Sequence, residues 1–204
     1  MYEQLLFDTK EGKDEKAAVS FRISPFSFFQ TNTVGAQQLF ALAMQMAGKV
    51  EGTILDLYCG TWSIGLSFLK AGMGDFVIGI EIVEEAITDA RHNAKINGLE
   101  NQVLFIANPA EKELTTHDVL KDKIETLWLV IVDPPRDGLH KNVISFLGKI
   151  KKERDFKLVY ISCNPVTMVR DLELFHQEGF TTKTIQPVDM FPQTHHIEVI
   201  GILE

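Results

Sequence analysis

The stretch Thr53-Ile-Leu-Asp-Leu-Tyr-Cys-Gly60, continued by Thr-Trp-Ser-Ile-Gly65, decides the fold of this chain of 204 residues. It opens with a short apolar run, and glycines at 60 and 65 bound the turn that follows. A continuous apolar run of this length is typical of a parallel strand buried on both faces. In doubly wound sheets, ligands bind at the carboxyl ends of such strands. The stretch therefore predicts a central strand that leads into a ligand site.

Further apolar runs follow along the chain, at residues 76–80, 103–107, 127–132 and 158–161. Helical patterns accompany them, at residues 34–47, 84–96 and 165 to about 177. Strands that alternate with helices of this length indicate βαβ units with right-handed crossovers. The last two β-like runs, 181–188 and 195–203, have no helix between them. We therefore predict an α/β, Rossmann-like fold with a mostly parallel central sheet and a C-terminal antiparallel hairpin.

The composition, with 45% hydrophobic and 24% charged residues, is that of an ordinary globular protein. We assign residues 1–20 to a peripheral or partly disordered N-terminal segment and residues 21–204 to one domain. Neither a secretory signal nor a membrane-spanning apolar stretch is visible, so a cytoplasmic, monomeric protein away from membranes is expected. Two distant cysteines, Cys59 and Cys163, favour a reducing compartment and cannot alone form a four-cysteine metal site. No metal centre is predicted.

The formal net charge of -8 is unfavourable for binding nucleic acid, because phosphate contacts need Lys and Arg. The one dense basic run, Lys149 to Arg154, is interpreted as the solvated end of a helix. Another unusual segment, Phe21 to Gln30, contains four phenylalanines. It can serve as core packing, as a lid or as a surface on which bases stack.

Polar residues follow the predicted strands in order: Asp56 with the turn to Gly60, then Glu81, Asn108 and Asp133. Glu81 comes about 20 residues after the glycine turn, where a carboxylate can accept hydrogen bonds from ribose hydroxyls. Singly, each of these residues is typical of a helix cap or a turn. As an ordered set they predict a site for a nucleoside-containing cofactor.

The glycine turn favours S-adenosylmethionine (SAM) over a dinucleotide. A dinucleotide site needs a middle glycine so that the backbone can approach a pyrophosphate, and here Trp62 stands in that region. SAM has no phosphate, so that approach is unnecessary. Methyltransferases usually have glycine at this position too, and an indole there is expected to crowd the methionine end of the cofactor.

Two further motifs carry chemistry. Asp133-Pro-Pro-Arg136 has a stiff backbone with free carbonyls, and Arg136 replaces the aromatic residue found in amino-group methyltransferases. Cys163, in Ser162-Cys163-Asn164-Pro165, lies just before a predicted helix N-terminus, where the helix dipole favours a thiolate. The alternative is that Cys163 is a small buried hydrophobic residue.

Together these motifs resemble the catalytic domain of the RNA uracil-5-methyltransferases, which act on tRNA and ribosomal RNA. The resemblance covers nearly the whole chain from about Phe21 onward. The motifs that carry it are Phe28-Phe29-Gln30-Thr-Asn32, Asp56-Leu-Tyr-Cys-Gly60, Glu81, Asn108, Asp133-Pro-Pro-Arg136, Ser162-Cys163-Asn164-Pro165, Asp189-Met-Phe-Pro192 and His196-Ile-Glu198.

The resemblance implies transfer of a methyl group from SAM to C5 of a uridine through a covalent adduct between cysteine and C6. Cys163 matches the nucleophile and Glu198 the base, and Asp133 and Arg136 are expected to stabilise the enolate oxygen. A loop with Phe26, Phe28 and Phe29 is expected to line the pocket for the extruded base. The positions that match contacts to SAM are Gln30, Tyr58, Ser63, Glu81, Asn108 and Asp133.

Full-length relatives usually carry an N-terminal RNA-binding barrel and a further insert, which this sequence lacks. We therefore expect the RNA partner, a tRNA or rRNA, to need RNA-binding regions outside this chain. Two alternatives remain open: a methyltransferase for another nucleobase or a small molecule, and a degenerate SAM-binding module without turnover. The pair of Cys163 and Glu198 argues against methylation of amino groups, which needs neither residue.

Overall fold

The computed structural model describes residues 1–9, 12–24, 30–112 and 118–204. The strands are β1 (Tyr2–Thr9), β2 (Gly12–Arg22), β3 (Thr53–Leu57), β4 (Phe76–Glu81), β5 (Val103–Ala107), β6 (Leu127–Val132), β7 (Lys157–Ser162), β8 (Thr182–Val188) and β9 (Glu198–Leu203). The helices are α1 (Thr33–Ala47), α2 (Ser63–Lys70), α3 (Glu84–Ile96), α4 (Asp118–Ile124), α5 (Lys141–Glu153) and α6 (Pro165–Gln177), with a 3₁₀ turn at Glu100–Gln102. Within these described ranges no helix is both long and apolar enough to cross a membrane.

A sheet in the order β5-β4-β3-β6-β7-β9-β8 organises the molecule. The first five of these strands pair in parallel, and β9 is antiparallel to both β7 and β8. This confirms the predicted α/β fold with its C-terminal hairpin, and β5 and β6 have the predicted bounds. Strand order reverses between β3 and β6, which is the place where doubly wound sheets bind ligands.

The sheet separates two apolar clusters, because successive side chains of a strand point to opposite faces. In β3, Ile54 belongs to the cluster under α1, α2 and α3, whereas Leu55 and Leu57 belong to the cluster under α4, α5 and α6. All five residues of β3 are buried. Covered faces on both sides explain why the sequence shows a continuous apolar run here rather than an alternating one.

The N-terminal residues form a hairpin of β1 and β2 that belongs to the core. Leu5, Phe7 and Val19 are buried in the same cluster as α1 to α3. The sequence analysis placed residues 1–20 in a peripheral or partly disordered segment, whereas the described ones are strands with buried side chains. A domain boundary at residue 20 stays a prediction, and Lys10 and Glu11 lie outside the described residues.

Helix α3 holds the edge of this hairpin with a row of polar side chains spaced four residues apart. Four residues of helix rise about 6 Å, and two residues of strand span nearly the same distance. The side chains can therefore bond to alternate backbone amides of the strand edge, which would otherwise stay unpaired. The bonds are Ser20 N to Asn97 Oδ1 (3.0 Å), Arg22 N to Asn93 Oδ1 (2.7 Å) and Ser24 N to Asp89 Oδ2 (2.9 Å).

The basic run ends α5, as the sequence predicted. Lys151 and Lys152 lie in its last turn and pair with Asp155 and Glu178. Arg154 donates from Nε to the carbonyl of Leu127 at 2.7 Å. These cations are therefore engaged at the end of a helix near the start of β6.

Candidate active site

Strand register brings the predicted catalytic residues to one edge of the sheet. Parallel β6 and β7 are in register at Val132 and Tyr160, so the residues that follow both strands lie at the same edge. Antiparallel β9 places Val199 opposite Ser162. Cys163 and Glu198 are therefore neighbours in space, although a helix and a strand separate them along the chain.

The end of β4 organises the first half of this edge, which we call the cofactor half. Glu81 accepts from the amide of Gly60 through Oε2 and from the amide of Val83 through Oε1, each at 3.0 Å. Its carbonyl accepts from the amide of Asn108 at 2.9 Å. An ionised carboxylate has about four acceptor positions, so Glu81 keeps capacity for ribose hydroxyls while it fixes two turns.

Asp56 lies beneath the turn, and among the described residues only one of its two carboxyl oxygens has a hydrogen-bond partner. Its Oδ2 accepts from the amide of Gly65 at 3.1 Å, whereas Oδ1 is buried and finds no partner among the described residues. Burial raises the pKa of Asp56 well above its usual value, and the charges of Asp133 and Glu81 raise it further. The environment thus favours a protonated carboxyl, which is able to donate a hydrogen bond.

Trp62 is a core residue and not part of the open edge. Its side chain is 0% exposed, and its ring packs edge-on against Phe105 with the centroids 4.8 Å apart. The backbone of Trp62 has a positive φ of 67°, and in this conformation the ring points into the core. Because the indole has no accessible surface, it does not line an open cofactor site. The expected crowding therefore has no support in this arrangement.

The other predicted cofactor residues surround the same edge. Tyr58 has a positive φ of 62°, and burial raises the pKa of its hydroxyl to about 12. Ser63 begins α2 and is partly buried, as is Asn108, while Gln30 is buried. The aromatic loop with Phe26, Phe28 and Phe29 lies outside the described residues.

The second half of the edge, which we call the catalytic half, contains a cavity of about 310 Å³. Such a volume is at the lower end of the range of small-molecule pockets, roughly 300–1,000 Å³. Three of the four predicted catalytic residues line it, and the charge of one of them, Glu198, raises the pKa of the fourth, Asp133. The lining residues are Arg136, Cys163, Phe191, Thr194, His196, Ile197 and Glu198.

Arg136 is held at both ends. Its carbonyl accepts from Asn164 Nδ2 at 3.0 Å and from Thr167 Oγ1 at 3.1 Å. Its guanidinium lies 3.1 Å from His196 Nδ1 and also forms a hydrogen bond with the side chain of Cys163. Arg136 thus joins the loop after β6 to the cysteine and to the residues before β9.

A buried carboxylate fastens the loop that carries Arg136. Asp171 on α6 is 0% exposed and accepts from the amide of Leu139 and from the hydroxyl of Tyr160, each at 2.7 Å. Gly138 has φ +79°, and a Cβ there would lie 2.5 Å from Asp171 Oδ2. Asp171 is not among the site residues predicted from the sequence. The sequence feature that could have identified it is that an acidic residue lies among apolar positions of the helix, such as Met168 and Leu172.

The charge of Arg136 acts on two acids of the cavity, Glu198 and Cys163. Burial raises the pKa of Glu198 to about 7 against the opposing effect of Arg136, and burial with the charge of Glu198 raises that of Asp133 to about 7. The pKa of Cys163 is also raised, first by burial and then by Glu198 and Asp133, although Arg136 lowers it. The sequence analysis expected the helix N-terminus to favour a thiolate. Burial and the neighbouring carboxylates outweigh the effect of the helix N-terminus, so the pKa of the Cys163 thiol is raised.

The loop between β8 and β9 supplies cavity residues to which sequence reasoning assigned no role. Phe191, Thr194 and Ile197 line the cavity, and Thr194 fixes the loop by donating from Oγ1 to the carbonyl of Phe191 at 2.7 Å. Asn32 caps α1 and donates from Nδ2 to the carbonyl of Met190 at 2.8 Å. An aromatic residue within a polar connection was the signal for Phe191.

His196 and Glu198, which are two residues apart in the sequence, both line the cavity. Only Glu198 belongs to β9, because the strand begins there. His196 lies in the preceding connection, where its amide donates to Thr194 Oγ1 at 3.2 Å. The geometry of the connection, rather than strand pairing, therefore orients the imidazole.

Comparisons with known proteins agree with this arrangement. A family model described as tRNA (uracil-5-)-methyltransferase matches residues 11–204. An uncharacterized RNA methyltransferase of Caldanaerobacter subterraneus is 43% identical over 192 residues, covering 94% of this chain and 40% of that protein. Another, of Lactobacillus johnsonii, is 41% identical over 201 residues, covering 98% of this chain and 43% of that protein.

A solved structure is also similar: the Pyrococcus abyssi tRNA (uracil-54, C5)-methyltransferase in complex with S-adenosyl-L-homocysteine. It matches with a TM-score of 0.74 at 34% identity, over 91% of this chain and 42% of that one. This match identifies the architecture as the Rossmann-like fold of methyltransferases. The chain spans between 40% and 43% of the length of these relatives. With the family model matched over residues 11–204, the chain belongs to the tRNA (uracil-5-)-methyltransferase family.

Proposed function

We propose that this chain transfers a methyl group from SAM to C5 of a uridine in RNA, with Cys163 as nucleophile and Glu198 as base. One observation carries the proposal: a thiol and a carboxylate distant in sequence line one cavity, together with Arg136. Methylation of an amino group needs neither a nucleophile nor such a base. The family match and the tRNA-modifying relative from Pyrococcus abyssi support an RNA substrate, either tRNA or rRNA.

The cofactor half has the chemistry to hold SAM. Glu81 retains acceptor capacity for ribose hydroxyls, and Asn108 follows the next strand, where it can meet an adenine edge. The unpartnered oxygen of the buried Asp56 is a polar group that a ligand or a water beneath the turn can satisfy. Gln30, Tyr58, Ser63 and Asp133 complete the proposed set. When bound, SAM supplies an electrophilic methyl group.

Cys163 begins the reaction by losing its proton to solvent through the open cavity. Its thiolate forms a bond to C6 of the uracil, and the electrons of the C5–C6 double bond move toward C5 and the O4 carbonyl. Arg136 is placed to stabilise first the thiolate and then the enolate. With SAM bound, C5 would take its methyl group as the bond from the methyl carbon to the sulfonium sulfur breaks. The neutral thioether would leave, and C5 would still bear its proton.

Glu198 completes the reaction by taking that proton from C5. The C–H electrons reform the C5–C6 double bond, the bond from sulfur to C6 breaks, and the thiolate of Cys163 is released. A carboxylate with a pKa of about 7 is well matched to this step near neutral pH, because it is both available as a base and basic enough to react.

The cavity suits a single extruded base. Enzymes that modify bases take the target out of its stack and hold it by stacking and by contacts to its edge. Phe191 offers an aromatic ring beside Cys163, and Thr194 offers a hydroxyl. The alternative of a SAM-binding module without turnover rested in part on Trp62, and the buried position of that indole weakens that part.

The test is to incubate the chain with SAM and RNA containing 5-fluorouracil. Fluorine at C5 cannot leave as a proton, so a protein–RNA adduct should accumulate and survive denaturing electrophoresis. Mass spectrometry of the digested adduct should locate the RNA on Cys163, and Cys163→Ala should form none. RNA with ordinary uracil, which allows release, is the matched control. An adduct that persists in Cys163→Ala, or a wild-type protein that methylates uridine without any adduct, would overturn the proposal.

A further inference from the structure

We infer that His196 is a positioning residue that holds the guanidinium of Arg136 against Cys163, and that it does so as a neutral imidazole with Nδ1 unprotonated. The inference rests on the proposed function, because it concerns how the nucleophile is prepared. His196 lines the cavity together with Glu198, but it is not the residue that takes the proton from C5.

The backbone of Arg136 is fixed, but its side chain is long and exposed. Asn164 and Thr167 anchor its carbonyl, and beyond that point the guanidinium can move. An arginine side chain carries about 2 kcal/mol of rotamer entropy. The contact of 3.1 Å with His196 Nδ1 is a second anchor at the far end of the side chain. His196 comes from the connection before β9, so the contact links two separate walls of the cavity.

Hydrogen-bond chemistry determines the state of the imidazole. A guanidinium has five N–H donors and no acceptor, so His196 must accept through an unprotonated Nδ1 and carry its proton on Nε2. A doubly protonated imidazole would bring two positive charges together and lose the bond. The imidazole of His195 packs against that of His196 with the two rings tilted and their centroids 4.1 Å apart.

The position of Arg136 decides how easily Cys163 ionises. Glu198 and Asp133 both oppose a thiolate, whereas Arg136 favours it by its charge and by a hydrogen bond. Arg136 is also attracted to Glu198, whose charge it likewise stabilises. A guanidinium tethered to His196 stays shared between the thiol and the carboxylate. Without the tether, it is free to turn toward Glu198 and leave the thiol.

Alkylation of Cys163 by iodoacetamide tests this in the full chain without RNA or SAM. The rate is measured from pH 6 to 10, and peptide mass spectrometry assigns it to Cys163, because Cys59 is buried. His196→Leu should raise the midpoint of the profile by about 0.5–1 pH unit and slow alkylation at pH 7.5 by about threefold to tenfold. His196→Asn, which keeps an acceptor near the position of Nδ1, should recover most of the rate.

Two controls separate positioning from a general disturbance. His176→Leu removes an exposed imidazole on α6 that does not line the cavity, and it should leave the alkylation profile unchanged. Arg136→Gln should slow alkylation by itself, and adding His196→Leu to it should slow alkylation no further, because the two residues act through one contact. Thermal unfolding of each variant checks that the fold is intact, and His196→Asn serves if His196→Leu fails to fold.

An unchanged profile in His196→Leu, or a full further effect in the Arg136→Gln background, would overturn the inference. Equal loss in His196→Asn and His196→Leu would also count against an acceptor role. Alkylation needs no turnover, so it reports on the inference separately from the proposed function. If the alkylation results hold but the chain never forms the 5-fluorouracil adduct, only the proposed function fails.

Discussion

The cofactor half and the catalytic half of the sheet edge use carboxylates in opposite ways. Glu81, in the cofactor half, has each oxygen bonded to a backbone amide, and these two bonds fix two turns. Glu198 and Asp133, in the catalytic half, have pKa values raised to about 7, so their charged forms are destabilised. A carboxylate that maintains geometry is satisfied by the backbone, whereas one that must take a proton is kept basic by burial.

Support for the catalytic half comes from residues that do not react. The loop after β6 is held through hydrogen bonds by Asn164 at the N-cap of α6 and by Thr167 and Asp171 in its first two turns. The reacting side chains therefore remain available to substrate. Asp56 is the exception in the cofactor half, because its raised pKa and unpartnered oxygen resemble the catalytic pattern.

The largest expected effect comes from removing the base of the catalytic half. Glu198→Gln should lower turnover about 10²- to 10⁴-fold, because the C5 proton loses its acceptor. The covalent bond to C6 can still form, so an adduct with ordinary uracil RNA should accumulate, detectable by denaturing electrophoresis. Glu173→Gln, an exposed change on α6, should leave turnover intact. Fast release of methylated RNA by Glu198→Gln would show that another group removes the proton.

A smaller effect, on stability alone, is expected from Trp62 in the cofactor half. Trp62→Ala should lower the free energy of unfolding by about 3–5 kcal/mol, because a fully buried ring is lost. Trp62→Gly should recover about 1 kcal/mol of this, since glycine adopts φ 67° without strain. Urea denaturation measures both. Unchanged stability together with tighter SAM binding in Trp62→Ala would place the indole in the cofactor site instead.

The smallest expected effect is a pH dependence of stability that comes from Glu198 in the catalytic half. A raised pKa means that the stabilising contribution of Glu198 is complete below about pH 4.5 and is lost as pH rises through about 7. The free energy of unfolding of Glu198→Gln should therefore be about 1–3 kcal/mol higher than that of wild type at pH 8. At pH 4 it should be no higher than that of wild type. Thermal unfolding at both pH values measures this, with Glu173→Gln as control. Equal gains at pH 4 and pH 8 would contradict the raised pKa.

Much of the fold followed from local patterns. The runs at 103–107 and 127–132 became strands with the same bounds. Five of the six residues of the second strand are buried, and a strand buried on both faces leaves a continuous apolar signal. Helix α6 began at Pro165 behind the Asn164 cap, as predicted, since capping is a local interaction. The N-terminal hairpin was not foreseen. Its strands gain their stability from α3 and the core, which lie far along the chain.

The candidate site was predictable in its membership but not in its electrostatics. Cys163, Glu198 and Arg136 were named from motifs, and the structure brings them to one cavity. The ionisation of Cys163 was expected to follow from the helix N-terminus next to it in sequence. Its actual environment includes two carboxylates from other strands, and their effect depends on distances that no local pattern contains.

The sequence by itself determined the alternation of strands and helices from residue 53 onward, the family and the proposed reacting groups. These depend on periodicity, caps and residue chemistry, which are local properties. Only the tertiary structure decided that Trp62 turns into the core, that Asp171 holds the loop of Arg136, and that His196 meets the guanidinium. Each of these depends on contacts between residues that are distant in sequence or on the direction of a side chain. Burial and charge act through space rather than along the chain.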